Sequence, residues 1–325
     1  MIGDVSRLFT KRILFTVLVL ATSPAWAQDG GDAAGSIDGL RLPGISNYAP
    51  PTTQGPLSLQ GEGEITLSAR LTEDGPTLNR GLVWRVFRPE PGDDGKLPLI
   101  ASAQGGSGIF MLEPGSYLVH ASFGRAGATK RITVDKTART ESIVLDAGGL
   151  KLDAVLSGGA AIPDSKLRFA IYESEPDTNG ERALIIPNVR PDSVVRLNSG
   201  TYHIVSNYGA VNAVIRSDIR VEAGKLTEAT VEHRAAELSL KLVREEGGEA
   251  IADTSWAVLT DSGDIVRESV GAFASMVLAE GDYAVVAKNR DRIYQREFSV
   301  VAGRNQDVEV LATEVEAVTD AASGD

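Results

Sequence analysis

Three histidines, His120, His203 and His233, are the residues in this 325-residue chain best suited to moving protons near neutrality. A catalytic base also needs a partner within hydrogen-bond reach. His120 falls three residues after Tyr117 and His203 one after Tyr202, each on the strand face opposite its tyrosine, while His233 stands alone further on. They share no phase and lie in no serine-elbow, metalloprotease or phosphate-loop motif, so the expectation is solvent-facing strand histidines. No cysteine is present, which removes disulfides, thiol nucleophiles, cysteine-ligated zinc and iron–sulfur clusters. The 44 Asp and Glu outnumber the 32 Lys and Arg and give a net charge of −12, a poor balance for binding nucleic acid. Two carboxylates alone would suffice for glycoside hydrolysis. Most, however, fall in turns or on alternating outward positions, so a carboxylate hydrolase is the weakest reading. No catalytic residue, metal or cofactor is assigned.

Oxygen-rich clusters could hold calcium between loops: Asp93-Asp94 before Gly95, Asp177-Thr178-Asn179-Gly180, and Asp261-Ser262-Gly263-Asp264. None has the spacing of a calcium-binding helix–loop–helix, and Asx-Gly pairs are ordinary turn formers, so plain turns are expected. Lys130, Lys166 and Lys288 are candidates for an intramolecular lysine–asparagine crosslink, which needs a buried lysine that pattern alone does not place.

The elements that position these groups repeat. Leu-x-x-Gly-x-Tyr occurs at Leu112, Gly115 and Tyr117, at Leu197, Gly200 and Tyr202, and at Leu278, Gly281 and Tyr283. That period is the size of one small domain. A large ring keeps the same phase as Trp84, Phe169 and Trp256, although the middle loop of the third copy is about six residues shorter, read from the spacing. Each copy opens with period-two alternation, as in Ile65, Leu67, Ala69 and Leu71, or Leu238, Leu240 and Leu242, which puts one face in the core and the other in water. Short strands, frequent turns and no long amphipathic helix predict an all-β chain of three tandem antiparallel β-sandwich domains. The Gly-x-Tyr marker reads as a tyrosine corner.

Leu-x-x-Gly-x-Tyr followed by Val or Ala alternation, as in Leu112 to Ala121 and Leu278 to Ala287, resembles the immunoglobulin-like, prealbumin-like and carboxypeptidase-regulatory-like repeats of bacterial envelope proteins. The resemblance covers about Gly61 to Ala312 and implies accessory, binding or spacer roles.

Outside the repeats, Met1 to Ala27 carries Arg7, Lys11 and Arg12, an apolar run from Ile13 to Ala21, and the small-residue pattern Ala25-Trp26-Ala27. This predicts a signal peptide cut after Ala27, with a periplasmic or secreted product. Its apolar core is too short for a membrane span, no later stretch of the mature chain is long enough for one, and no cysteine follows to carry a lipid. Removing Asp4 and the three basic residues takes the charge from −12 to −14. Residues 28–60, rich in Gly and Pro, predict a flexible disordered linker. The expected units are then 61–147, 148–235 and 236–312, followed by an acidic disordered tail over 313–325.

Candidate contact residues cluster at a predicted hairpin six residues after each marker tyrosine: Phe123-Gly124-Arg125, Tyr208-Gly209-Ala210 and Asn289-Arg290-Asp291. An aromatic at such a tip could stack on a sugar or fill a partner's pocket, or it could cap its own core. Arg290, Arg292, Tyr294 and Arg296 form an alternating strip that suits docking or the protection of an exposed edge. Two functions follow: a non-enzymatic envelope scaffold with an unidentified protein partner, or a carbohydrate- or peptidoglycan-binding module. Oligomeric state is not legible.

Overall fold

A computed structural model describes residues 62–312. The expected leader, tether and tail lie outside the described residues. Within them the chain is entirely β, with 21 strands in six sheets and three sandwich units. In the first unit, β1 (Gly63–Arg70), β4 (Gly108–Leu112) and β7 (Arg139–Val144) form a three-stranded sheet in the order β4-β1-β7. It faces a four-stranded sheet, β3-β2-β5-β6, made of β2 (Leu82–Phe87), β3 (Leu99–Gly105), β5 (Gly115–Phe123) and β6 (Ala126–Val134).

The second unit repeats this with β8 (Ala147–Leu156), β9 (Leu167–Glu173), β10 (Leu184–Val189), β11 (Val194–Asn198), β12 (Gly200–Tyr208), β13 (Val214–Val221) and β14 (Leu226–His233). The third does so with β15 (Ala235–Val243), β16 (Thr254–Thr260), β17 (Ile265–Val270), β18 (Phe273–Ala279), β19 (Gly281–Asn289), β20 (Arg292–Val300) and β21 (Gln306–Leu311).

Period-two alternation becomes burial directly. Ile65, Leu67 and Ala69 point inward from β1, and Leu238, Leu240 and Leu242 from β15. Each large aliphatic side chain so buried contributes about 1.5–3 kcal/mol. Trp84, Phe169 and Trp256 lie at the centres of the three cores, and the two tryptophans donate their indole N–H to Gly106 O at 2.7 Å and Gly271 O at 2.9 Å. The hydroxyls of Tyr117, Tyr202 and Tyr283 each donate to the carbonyl four residues upstream, on Glu113, Asn198 and Ala279. This ties the start of the central strand to the chain leaving the edge strand.

One pairing departs from a purely antiparallel plan. The first and last strands of every unit run parallel, as β1 with β7, β8 with β14 and β15 with β21. A parallel pair needs a long crossover, and the rest of each sandwich serves as that crossover. Parallel pairing also brings the last strand of one unit out where the next begins. Leu145 and Asp146 alone separate β7 from β8, and Arg234 alone separates β14 from β15.

Candidate interaction surfaces

The tight linkers bring the hairpin tips of the first and second units onto the edge strand of the unit that follows. At the first joint, the β5–β6 turn is Gly124-Arg125, and Arg125 N donates to Arg196 O on β11 at 3.0 Å. The Arg196 guanidinium carbon lies 4.3 Å from the centre of the Phe123 ring, a cation–π contact. Asn198 closes the joint with its side chain: Oδ1 accepts from Gly127 N at 3.1 Å, while Nδ2 donates to Gly127 O at 3.1 Å and to Leu145 O at 2.7 Å. A Cβ on Gly124 would stand 3.0 Å from the Cβ of Arg196, and Gly124 has φ 68°. Glycine here meets two demands at once, the left-handed turn and the close neighbour.

The second joint places the tip of β12–β13 against β18 and β15. Tyr208 donates its hydroxyl to Glu237 Oε1 at 2.9 Å, and Lys166 pairs with the other oxygen of that carboxylate. The Lys166 hydrogen bond holds Glu237 below the usual carboxylate range, and burial with the Glu237 carboxylate pushes the Tyr208 phenol up. A Cβ on Gly209, φ 73°, would stand 2.8 Å from the Cβ of Val277. Asn212, in a loop longer than that of the first tip, accepts from Ala279 N at 3.0 Å and donates to the Tyr283 hydroxyl at 2.8 Å. Ala279 occupies the place that Asn198 has at the first joint, so each joint carries one asparagine, supplied from opposite sides.

These positions decide or correct several expectations. Tyr208 is only 1 % exposed and Phe123 packs on its own core beneath Arg196, so of the two readings of these tips the rings follow the one in which they cap their own cores. Both follow their marker tyrosine by six residues, an even number that keeps them on the inward face. The strip on the third unit is also not a uniform edge. Tyr294 is buried in the third core, and Arg296 reaches across the open side of the sandwich to donate to Glu309 O. Lys130 does the same in the first unit, bonding Glu141 Oε2 and Ser142 O. Arg125, Arg290 and Arg292 are exposed.

The histidines differ most from expectation. His120 and His233 are 0 % and 1 % exposed, not solvent-facing. His120 bonds Thr129 Oγ1 at 2.9 Å, has no partner for Nε2, and is held down to about 4 by burial and then by Arg85. Gly127 makes room for its ring, since a Cβ there would come within 2.9 Å of Cε1. His233 continues the inward series Ala229, Val231, which is the signal by which its burial could have been read. Its Nε2 lies 2.8 Å from Ser206 Oγ, the Tyr208 ring meets it edge-on at 5.9 Å, and burial lowers its pKa. A serine–histidine pair has the geometry of a nucleophile and base, but both partners are sealed in the second joint, where no substrate carbonyl reaches them. His203 is half-buried on the outer sheet face, with Nδ1 2.7 Å from Asp218 Oδ1.

The Asx clusters are spent on turns. Asp94 Oδ1 accepts from Lys96 N, and Asp177 Oδ1 from Asn179 N and Glu181 N. Ser262 Oγ donates to Asp264 Oδ2 at 3.1 Å, and Gly263 has φ 88°. Among the described residues no group of three or more acidic or histidine side chains is placed to hold a metal. Lys130 and Lys166 sit in surface ion pairs and Lys288 is exposed. A depression of about 520 Å³ lined by Ser199, Gly200, Arg220, Val221, Glu222 and Ala223 is an open dish near the first joint. No helix among the described residues is long and apolar enough to cross a membrane.

A family profile described as the Rhizobiales growth-associated tandem repeat domain matches residues 237–312, the third unit. No curated protein matches the chain. Similar solved structures include the TIE protein of Bacillus anthracis, with 16% identity, 77% of this chain and 50% of that chain covered, and a TM-score of 0.24. They also include GBS52, the minor pilin of Streptococcus agalactiae, with 13% identity, coverage of 53% and 95%, and a TM-score of 0.30. BcpA, the major pilin subunit of Bacillus cereus, has 10% identity, coverage of 77% and 99%, and a TM-score of 0.20. The chain spans half the length of the first and nearly all of the other two. At these TM-scores the likeness adds nothing to the strand order described above.

Proposed function

We propose that this chain is an exported, non-enzymatic scaffold of the cell envelope, built from modules 61–147, 148–235 and 236–312. The observation that carries the reading is the pair of joints. In each, a glycine-turn hairpin is seated on the next unit's edge strand and clamped by an asparagine. Short linkers and hydrogen-bonded joints hold modules at set spacings, so weak contacts along them add through effective concentration. The charged leader with its apolar core supports export, and the similarity of the third unit to a growth-associated repeat fits an envelope role. A sugar-binding reading draws less support, because Tyr208 and Phe123 are occupied at the joints.

Crosslinking of the chain in its native envelope, with adducts read by mass spectrometry, tests the reading. A discrete protein adduct is expected. Glycan adducts with no protein partner would set the scaffold aside in favour of a binding module.

A further inference from the structure

The edge strand of the first unit stands where the other two receive a hairpin, and nothing described covers it. In register, β4 pairs Met111 with Glu64, as β18 pairs Val277 with Glu237. Tyr117 and Tyr283 then occupy the same corner. The first unit therefore repeats the set that seats the Tyr208-Gly209 tip: an apolar residue for the glycine to press on, a carboxylate for the phenol and a cation, and a tyrosine hydroxyl. In the third unit Val277 is covered, at 5 % exposed; in the first, Met111 and its neighbour Ile109 are 50 % and 67 % exposed.

The free tip of the third unit does not match this set. Its turn is Arg290-Asp291, with Arg290 at φ 54° carrying a side chain where both docked tips have glycine. Asn289 pairs with Thr254 as Tyr208 pairs with Leu167, so an asparagine replaces the phenol. The same register places Asp253 where Lys166 stands, and it would meet Glu64 as a like charge. A second copy thus lacks both the glycine and the phenol with which the docked tip fills this seat.

We propose that the Glu64–Met111 edge of the first unit is a docking site for the tyrosine–glycine hairpin tip of a β-sandwich in another protein, one that brings a basic residue to Glu64. The mode is the addition of a hairpin tip to a sheet edge, related to strand addition. It rests on the scaffold reading, naming the kind of partner. The envelope crosslinking above tests the scaffold whichever face it uses, whereas the following experiment tests only this edge.

In the chain from Gln28, residues 289–292 are replaced by the sequence of Tyr208–Ala213, together with Asp253→Lys, so that the third unit carries the glycine, the phenol and the cation of a matching tip. Sedimentation should show the unaltered chain as a monomer and the altered chain as head-to-tail species whose mass rises with concentration without a plateau, as a heterologous contact that does not close requires. Adding Met111→Glu or Glu64→Arg should return the monomer. A folded altered chain, by circular dichroism and melting, that stays monomeric overturns the proposal. Self-association of the unaltered chain that Met111→Glu abolishes also overturns it, by making a second copy the occupant.

Discussion

The turn of the first unit and the turn of the third occupy the same place in the same hairpin, two residues long in each. One is Gly124-Arg125, pressed against Arg196; the other is Arg290-Asp291, exposed among the described residues. Both first positions are left-handed, at φ 68° and 54°. Backbone geometry alone therefore does not demand glycine here. The close neighbour does, and where the neighbour is missing an arginine is accepted at a strain of about 1–2 kcal/mol. The second unit sharpens the point, since its longer loop still puts glycine where Val277 approaches.

The largest effect that would break this comparison is at the second joint. Tyr208→Ala should cost about 3–5 kcal/mol, as for other fully buried rings, and leave Glu237 without its phenol. Phe123→Ala, at a partly buried ring, should cost clearly less. Urea unfolding of the two variants decides; equal losses would mean that the joints do not differ as described.

Next is the glycine itself. Gly209→Ala should cost about 2–4 kcal/mol, combining left-handed strain with overpacking against Val277. Gly124→Ala should cost less, because the contact distance is longer and Arg196 is exposed. Amide exchange near Ala279 should accelerate in the first variant and stay unchanged in the second.

Acidification separates the joints by a different route. His120 and His233 both have folded-state pKa values below the ordinary 6.5, by burial. The unfolded chain then binds protons first, so the stability is fully present above 6.5 and lost as pH falls through the folded values. For His120 the window runs from 6.5 to about 4. The expected slope within that window is about 1.4 kcal/mol per pH unit for His120, and His233 adds to it in the same direction. His233→Gln should remove the share belonging to the second joint, measured as a flatter midpoint-versus-pH curve. An unchanged curve would show that His233 titrates normally.

The smallest effect is at the free tip. Arg290→Gly relieves left-handed strain and adds backbone freedom to the unfolded chain, two terms of about 1 kcal/mol that oppose each other. Melting should shift little in either direction. A large loss would show that the arginine side chain is held by something in the chain.

Much of this is legible in the sequence. The Leu-x-x-Gly-x-Tyr period and the alternation around it set the number of units, the ring in each core and the inward face of the opening strands, because burial there follows a period of two; His120 breaks the pattern, buried on the outward parity of β5. The same alternation carries Tyr208, Tyr294 and His233 inward, although their polar groups suggest solvent. What sequence did not carry was the pairing of distant strands. The parallel first and last strands, the seat of each hairpin on the following unit, and the match of Glu64 and Met111 to Glu237 and Val277 depend on register between segments far apart in the chain. The sequence by itself determined the repeating units and their cores, since those rest on local alternation. Only the tertiary structure decided which tips are joints and which edge is left open, since a turn's surroundings are supplied by a different module.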